Sequence, residues 1–174
     1  FGSRLLREID AEFRVEAGEE THPVFGEIDY LGVSYGATPE LLAFWGANGY
    51  RTVHLSTTRN DASGEHSAVM IRPLSAAGRD LADRHAVWFL QRIPDVLAGV
   101  LDDLDPDVVR GALGTVDGSP PIELSAFEWR LVASAAYGPG LYDTAPGPFR
   151  RLALCALVDG LFDDPESERL LVVK

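Results

Sequence analysis

Apolar residues recur every third or fourth position at the start of the chain. Leu5, Ile9 and Phe13 stand at i, i+4 and i+8, and Leu6 widens the stripe. That period predicts an amphipathic helix in "FGSRLLREIDAEF", beginning at the second or third residue. Residues 16–23 are polar and read as a loop. A β-type run follows at 27–35, "EIDYLGVSY", and then a helix in "ATPELLAFWGANGY". There Thr38 is suited to the N-cap, Pro39 to the first helical position and Gly49 to closure. Alternation returns at 51–58 and again at 67–74, with the turn-rich "RNDASGEH" between, so these two strands read as a hairpin.

From about Ser75 the period is helical throughout. "RDLADRHAVWFLQRI" places Leu81, His85, Trp88 and Phe89 on one face, and Pro94 is expected to break or restart the helix. Asp105-Pro106 opens another helix, with Val109, Ala112 and Leu113 inward. Residues 117–121 read as a linker. Ser125 with Glu128 forms a capping box for "AFEWRLVASAAY", which Gly138-Pro139-Gly140 stops. Residues 147–160 form a further helix, and Asp164-Pro165 opens a last one that still runs at Lys174. Both ends read as cut. The expected boundary lies near residue 75, with an α/β piece at 1–74 and an all-helical piece at 75–174.

Composition narrows the class. A 46% hydrophobic fraction in 174 residues supports a packed core. No apolar run reaches the length of a bilayer span, and no secretory leader is visible, so a cytoplasmic protein is expected. The single Cys155 excludes an internal disulfide, and the scattered His22, His54, His66 and His85 match no metal-ligand spacing. Asp and Glu number 27 against 15 Lys and Arg, a net charge of −12, and Lys174 is the sole lysine. An acidic, lysine-poor surface fits a high-salt cytoplasm, where salt screens carboxylate repulsion. A GC-rich genome is the other explanation of Arg over Lys.

Chemistry concentrates in a few stretches. Gly-Ser ahead of the first helix allows close backbone approach, and first-turn amides favour a phosphate; an ordinary cap is the plainer reading. Glu40 in a helical first turn suits the dipole. Arg59 could meet RNA or cofactor phosphates, or pin its own loop. His54 reads as structural and His66 as a surface residue at the hairpin end. Arg130, Arg150 and Arg151 are the leading cations for RNA, with Arg79, Arg84 and Arg92 a second stripe. Trp129 and Tyr137 could stack on bases but read as core.

The order strand, loop, helix ending in Gly-aromatic, strand resembles the closing half of the GNAT acetyltransferase fold. "DYLGVSYGATPELLAFWGANGYRTVHLSTTRNDASGEHSAVMIRPLS" is similar to the tRNA(Met) cytidine acetyltransferase family in four features. These are G-V-S-aromatic-G, E-L-x-x-F-W with a following G-aromatic, R-x-x-x-S-G in the hairpin, and the P-L-S exit. "EWRLVASAAYGPGLYDTAPGPFRRLAL" resembles that family's C-terminal tRNA-binding region. The resemblance implies an α+β chain: the C-terminal half of a GNAT-type domain followed by an all-α domain. It implies acetyl transfer from acetyl-CoA to N4 of a tRNA cytidine, with ATP or GTP used in an upstream module that this chain lacks.

By the same resemblance Phe1, Gly2 and Ser3 would hold the CoA pyrophosphate, Glu40 would lie at the cofactor site, and the "GVSYG" strand would splay from a neighbour to admit the pantetheine arm. Arg59, Arg130, Arg150 and Arg151 would meet tRNA. Two positions depart from the pattern. Ala47 stands where relatives often carry a CoA-contacting base. Trp45 stands where many GNAT enzymes place a tyrosine acid, and an indole N–H is not a useful acid; Trp45 is either core or a wall of the pantetheine channel. The proton acceptor is expected upstream of residue 1. The chain alone is expected to be inactive, with a homo-oligomer or another partner covering the incomplete sheet. The alternatives are a GNAT enzyme for a protein or small amine with a helical dimerisation module, and an interaction domain that has lost its cofactor.

Overall fold

The computed structural model describes residues 1–13, 26–61, 64–116 and 123–162. The loop expected at 16–23, the linker at 117–121 and the helix expected from Asp164 lie outside them. The elements run α1 (Gly2–Phe13), β1 (Tyr30–Gly36), α2 (Pro39–Ala47), β2 (Arg51–Arg59), β3 (His66–Pro73), α3 (Ala76–Leu97), α4 (Pro106–Gly114), α5 (Ala126–Tyr137), a 3₁₀ turn (Tyr142–Thr144) and α6 (Pro146–Val158). This is an α+β arrangement with one small antiparallel sheet. The chain divides into two compact units, Phe1–Val87 and Trp88–Lys174, and the division falls within α3.

In the first unit the three strands stand in the order β1-β3-β2, both pairings antiparallel. β2 and β3 form the expected hairpin. β3 then lies between its two partners, so β1 is an edge strand with one side left over among the described residues. Side chains alternate across the sheet. Ala68 and Met70 are fully buried on one face, and Tyr35 is the register partner of Ala68 there. α2 covers this face, because Trp45 stacks on Tyr35 with ring centroids 6.1 Å apart. The other face carries Val69, Val53 and Ile71, packed with Ala82 of α3.

Local chemistry explains the junctions. The Thr38 side chain accepts from Leu41 N, and Pro39 opens α2 as expected. Gly49 holds φ +82 between α2 and β2, a left-handed position that favours glycine. β1 begins three residues later than the hydrophobic run suggests, because Asp29 is engaged elsewhere. Its carbonyl accepts from Leu74 N at 2.8 Å and Ser75 N at 3.2 Å, and its carboxylate accepts from Ser75 Oγ. Ser75 Oγ in turn accepts from Gly78 N at 3.0 Å and so caps α3. A Cβ on Gly78 would collide with the Asp29 carbonyl. The Pro-Leu-Ser exit is therefore a clamp that ties the start of α3 to the entrance of β1. α1 is fastened by Asp10, which pairs with Arg72 of β3 at 2.8 Å, both side chains mostly buried.

α3 corrects two expectations. Its inward residues are Ala82, Ala86, Phe89, Leu90, Ile93 and Leu97, while His85 is exposed and Trp88 is 47% exposed under a cation–π contact with Arg92. The small alanines set the buried side because they permit close approach to the sheet, where Ala82 meets Val53 and Ile71. Pro94 does not break the helix. It lies in the last turn, where one lost backbone bond costs little, and Ala98 N still reaches Pro94 O at 3.2 Å.

In the second unit Asp105 caps α4, whose Val108, Val109, Ala112 and Leu113 are buried. The capping box of α5 is complete, with Ser125 N donating to Glu128 Oε2 and Glu128 N donating to Ser125 Oγ. α6 buries Ala153, Leu154, Cys155 and Leu157, and burial raises the Cys155 thiol pKa. α5 contributes no buried residue, and Trp129 and Tyr137 are exposed, Tyr137 almost completely. Both were expected in the core. The side of α5 turned to its neighbours carries the half-buried Glu128, Leu131 and Val132, and the rings point the other way.

Candidate functional site

α1 opens directly after Phe1, which is fully exposed and whose carbonyl accepts from Arg4 N and Leu5 N. The amides of Gly2 and Ser3 precede those first helical bonds, so the helix offers them no partner. Gly2 lies close under an aromatic edge: a Cβ there would stand 3.0 Å from Phe44 Cζ. Ser3 Oγ accepts from Asn48 Nδ2 at 3.1 Å, and the same amide donates to Phe44 O at 2.7 Å. The start of α1 is thus seated on the C-terminal end of α2.

Glu40 is exposed in the first turn of α2. Eight residues separate it from Asn48, about 12 Å of helix. Phe1, Gly2 and Ser3 are therefore brought together, and Glu40 stands apart at the opposite end of α2. Between them the α2-covered sheet face carries an aromatic cluster. Trp45 stacks on Tyr35 and meets Phe44 and Tyr50 edge-on, with centroids 5.3 and 4.9 Å away. Trp45 is held as a packing residue. Tyr35 Oη contacts Met70 Sδ, and burial pushes the phenol up to about 12.

Two histidines differ in role. His54 is half-buried on β2. His66 is 4% exposed, not the surface residue that its hairpin position suggested. It pairs in register with Arg59 after an irregularity in β2, and its Nδ1 lies 2.9 Å from Ser56 O. Its Nε2 is buried with no hydrogen-bond partner among the described residues. The signal in the sequence was the alternation His66, Ala68, Met70, which places it on the buried face. Arg59 donates from Nη1 to Gly64 O at 2.8 Å, so it pins its own loop, one of its three expected roles.

In the second unit Arg151 of α6 binds Glu128 at 2.7 Å. The hydrogen bond from Ser125 N, and then the Arg151 contact, hold the Glu128 carboxyl below its ordinary value. Arg150 is half-buried beside it on α6, and the Nε atoms of both arginines are buried and unpartnered among the described residues. Arg130 is exposed on α5, about 200° round the helix from Glu128. Arg150 and Arg151 are neighbours, whereas Arg130 is turned to the other side of α5 with Phe127, Trp129 and Tyr137. Among the described residues no helix is long and apolar enough to cross a membrane.

Residues 15–75 match the family model described as GNAT acetyltransferase 2. Over 99% of its length the chain is 58% identical to the tRNA(Met) cytidine acetyltransferase TmcA of Haloferax volcanii and 50% identical to that of Haloarcula marismortui. It is 38% identical over 83% of its length to the TmcA of Nitrosococcus halophilus. The chain spans about a fifth of the length of these relatives, covering 22%, 21% and 19% of them.

Proposed function

The chain belongs, over the length it has, to the tRNA(Met) cytidine acetyltransferase family, and from that premise we propose that it serves acetyl transfer from acetyl-CoA to N4 of a tRNA cytidine. The target by family resemblance is the wobble base of elongator tRNA(Met). The observation that carries this reading is the similarity over 99% of the chain to relatives of that name. In this reading 1–74 is the closing part of a GNAT domain and 75–174 a helical tRNA-binding domain. ATP or GTP is consumed by a module outside this chain, the work is cytoplasmic, and a further copy or the rest of the protein covers the sheet edge.

The residues present fit the cofactor at two places. The Gly2 and Ser3 amides suit a pyrophosphate, since the helix leaves them without a partner and its positive end favours an anion. The β1 edge suits an extended arm, since backbone groups on that side have no strand to pair with among the described residues. Ala47 withdraws one contact that relatives often supply. When bound, acetyl-CoA supplies a thioester carbonyl and a thiol leaving group.

The exocyclic amine of cytosine is a weak nucleophile because its lone pair is delocalised into the ring. The protein therefore contributes alignment, a hydrogen bond to the carbonyl oxygen and an outlet for the amine proton. An edge amide of β1 is the donor to that oxygen. Glu40 stands at the far end of α2, beside the cofactor path rather than at the phosphates. Arg59, Arg130, Arg150 and Arg151 meet tRNA phosphates, Arg59 and Arg151 through the donors that their bonds to Gly64 O and Glu128 leave over. Arg150 and Arg151 act together and Arg130 separately, beside the exposed rings.

The test is a graft in which this chain replaces the matching segment of the Haloferax volcanii relative, supplied with labelled acetyl-CoA, ATP, total tRNA and cell protein in molar KCl. Label in tRNA is the expected result. Label in protein or small amines instead would favour the amine acetyltransferase, for which the exposed Phe127, Trp129 and Tyr137 would be a dimerisation face.

A further inference from the structure

On the α2-covered face of the sheet one buried polar atom has no partner among the described residues. His66 is 4% exposed, and its Nε2 is buried without a partner among the described residues. Its other nitrogen is committed: Nδ1 lies 2.9 Å from Ser56 O, and a carbonyl can only accept, so Nδ1 carries the hydrogen. In the neutral ring Nε2 is then a lone-pair acceptor. Native structures leave few such atoms buried and unmatched.

The surroundings indicate where that use lies. The two ring nitrogens diverge, so with Nδ1 turned to Ser56 O of β2, Nε2 faces away from that carbonyl. β1 lies on the other side of β3 from β2. Ala37 N donates to His66 O at 2.8 Å, which places the His66 backbone beside the junction of β1 with the Thr38-capped start of α2. Tyr35 lies on the same face, diagonal to His66 across the β1–β3 pair.

We propose that His66 Nε2, buried at the junction of β1 and α2, receives an N–H donor from a substrate of acetyl transfer. This rests on the function proposed above and assigns that site a residue within this chain, where the proton acceptor was expected upstream. Two substrates carry the chemistry: the amide N–H groups of the pantetheine arm, and the exocyclic amine of cytidine. With the amine, His66 would also be the proton outlet. The C–N bond forms, the C–S bond breaks, the amine proton passes to Nε2 and the thiolate leaves with the electron pair.

The experiment is long-range ¹H–¹⁵N NMR on the histidine-labelled chain in molar KCl, titrated separately with acetyl-CoA and with cytidine monophosphate. Without ligand, His66 should show the neutral tautomer with hydrogen on Nδ1. On saturation the Nε2 resonance should move and Nδ1 should stay. A response to acetyl-CoA alone marks a cofactor subsite, and a response to cytidine monophosphate alone marks the acyl acceptor. His66→Phe should bind the responding ligand about tenfold more weakly, and His66→Gln, which keeps an acceptor oxygen, should recover part of the loss. Hydrogen on Nε2 in the free chain overturns the proposal. So does a ligand that moves backbone amides while Nε2 stays fixed, and that result leaves the acetyl-transfer reading standing. Binding of neither ligand overturns the proposal, and the graft then decides the acetyl-transfer reading.

Discussion

Single residues show how burial and pairing shape what each group can do. Tyr35 is held as a neutral phenol because ionising it under Trp45 would place a charge away from water; its pKa is pushed up to about 12. A folded value above the unfolded one near 10 means that its contribution to stability is intact below pH ~10 and is lost as pH rises through about 12. In a titration followed at 295 nm, Tyr35 should ionise late, and Tyr35→Phe should remove one late step. A Tyr35→Phe chain with an unchanged curve would show that the phenol is not buried. His66 and Arg151 teach a related lesson. Residue type alone suggested a surface histidine and a free cation, yet one ring lies inside the sheet and the other side chain is held by Glu128. Neither fact is local in sequence. Each depends on an element that arrives ten or more residues away.

At the scale of elements, caps were legible because they are local chemistry. Thr38, Asp105 and the Ser125–Glu128 box all act as their spacing indicates. The hairpin and the helical character after Ser75 were legible from period. The buried side of α3 was not, since a periodic stripe of large residues competes with a stripe of alanines, and only the partner sheet decides between them. The sidedness of α5 was hidden for the same reason. The clamp at Asp29, Ser75 and Gly78 yields a graded prediction. Gly78→Ala forces a methyl into the Asp29 carbonyl and should cost about 2–3 kcal/mol in urea unfolding. Gly49→Ala meets only ordinary contacts with Arg72, and its strain at φ +82 should cost about 1 kcal/mol. Equal losses would mean that the clamp does not hold β1 to α3.

For the whole molecule, a net charge of −12 on 174 residues sets the conditions under which it is stable. Raising salt from 0.1 M to 1 M shortens the screening length from about 10 Å to about 3 Å, which weakens carboxylate repulsion. The thermal midpoint should therefore rise steadily with KCl into the molar range; a flat or falling midpoint would remove the high-salt reading of the composition. The same scale bears on RNA, because an acidic protein must meet phosphates through a few placed arginines rather than a basic field. The decisive measurement is nucleoside mass spectrometry of tRNA from Haloferax volcanii cells whose own cytidine acetyltransferase carries this chain in place of its matching segment. The account predicts N4-acetylcytidine in elongator tRNA(Met). A graft that is folded and abundant, and whose tRNA lacks that nucleoside, would contradict it.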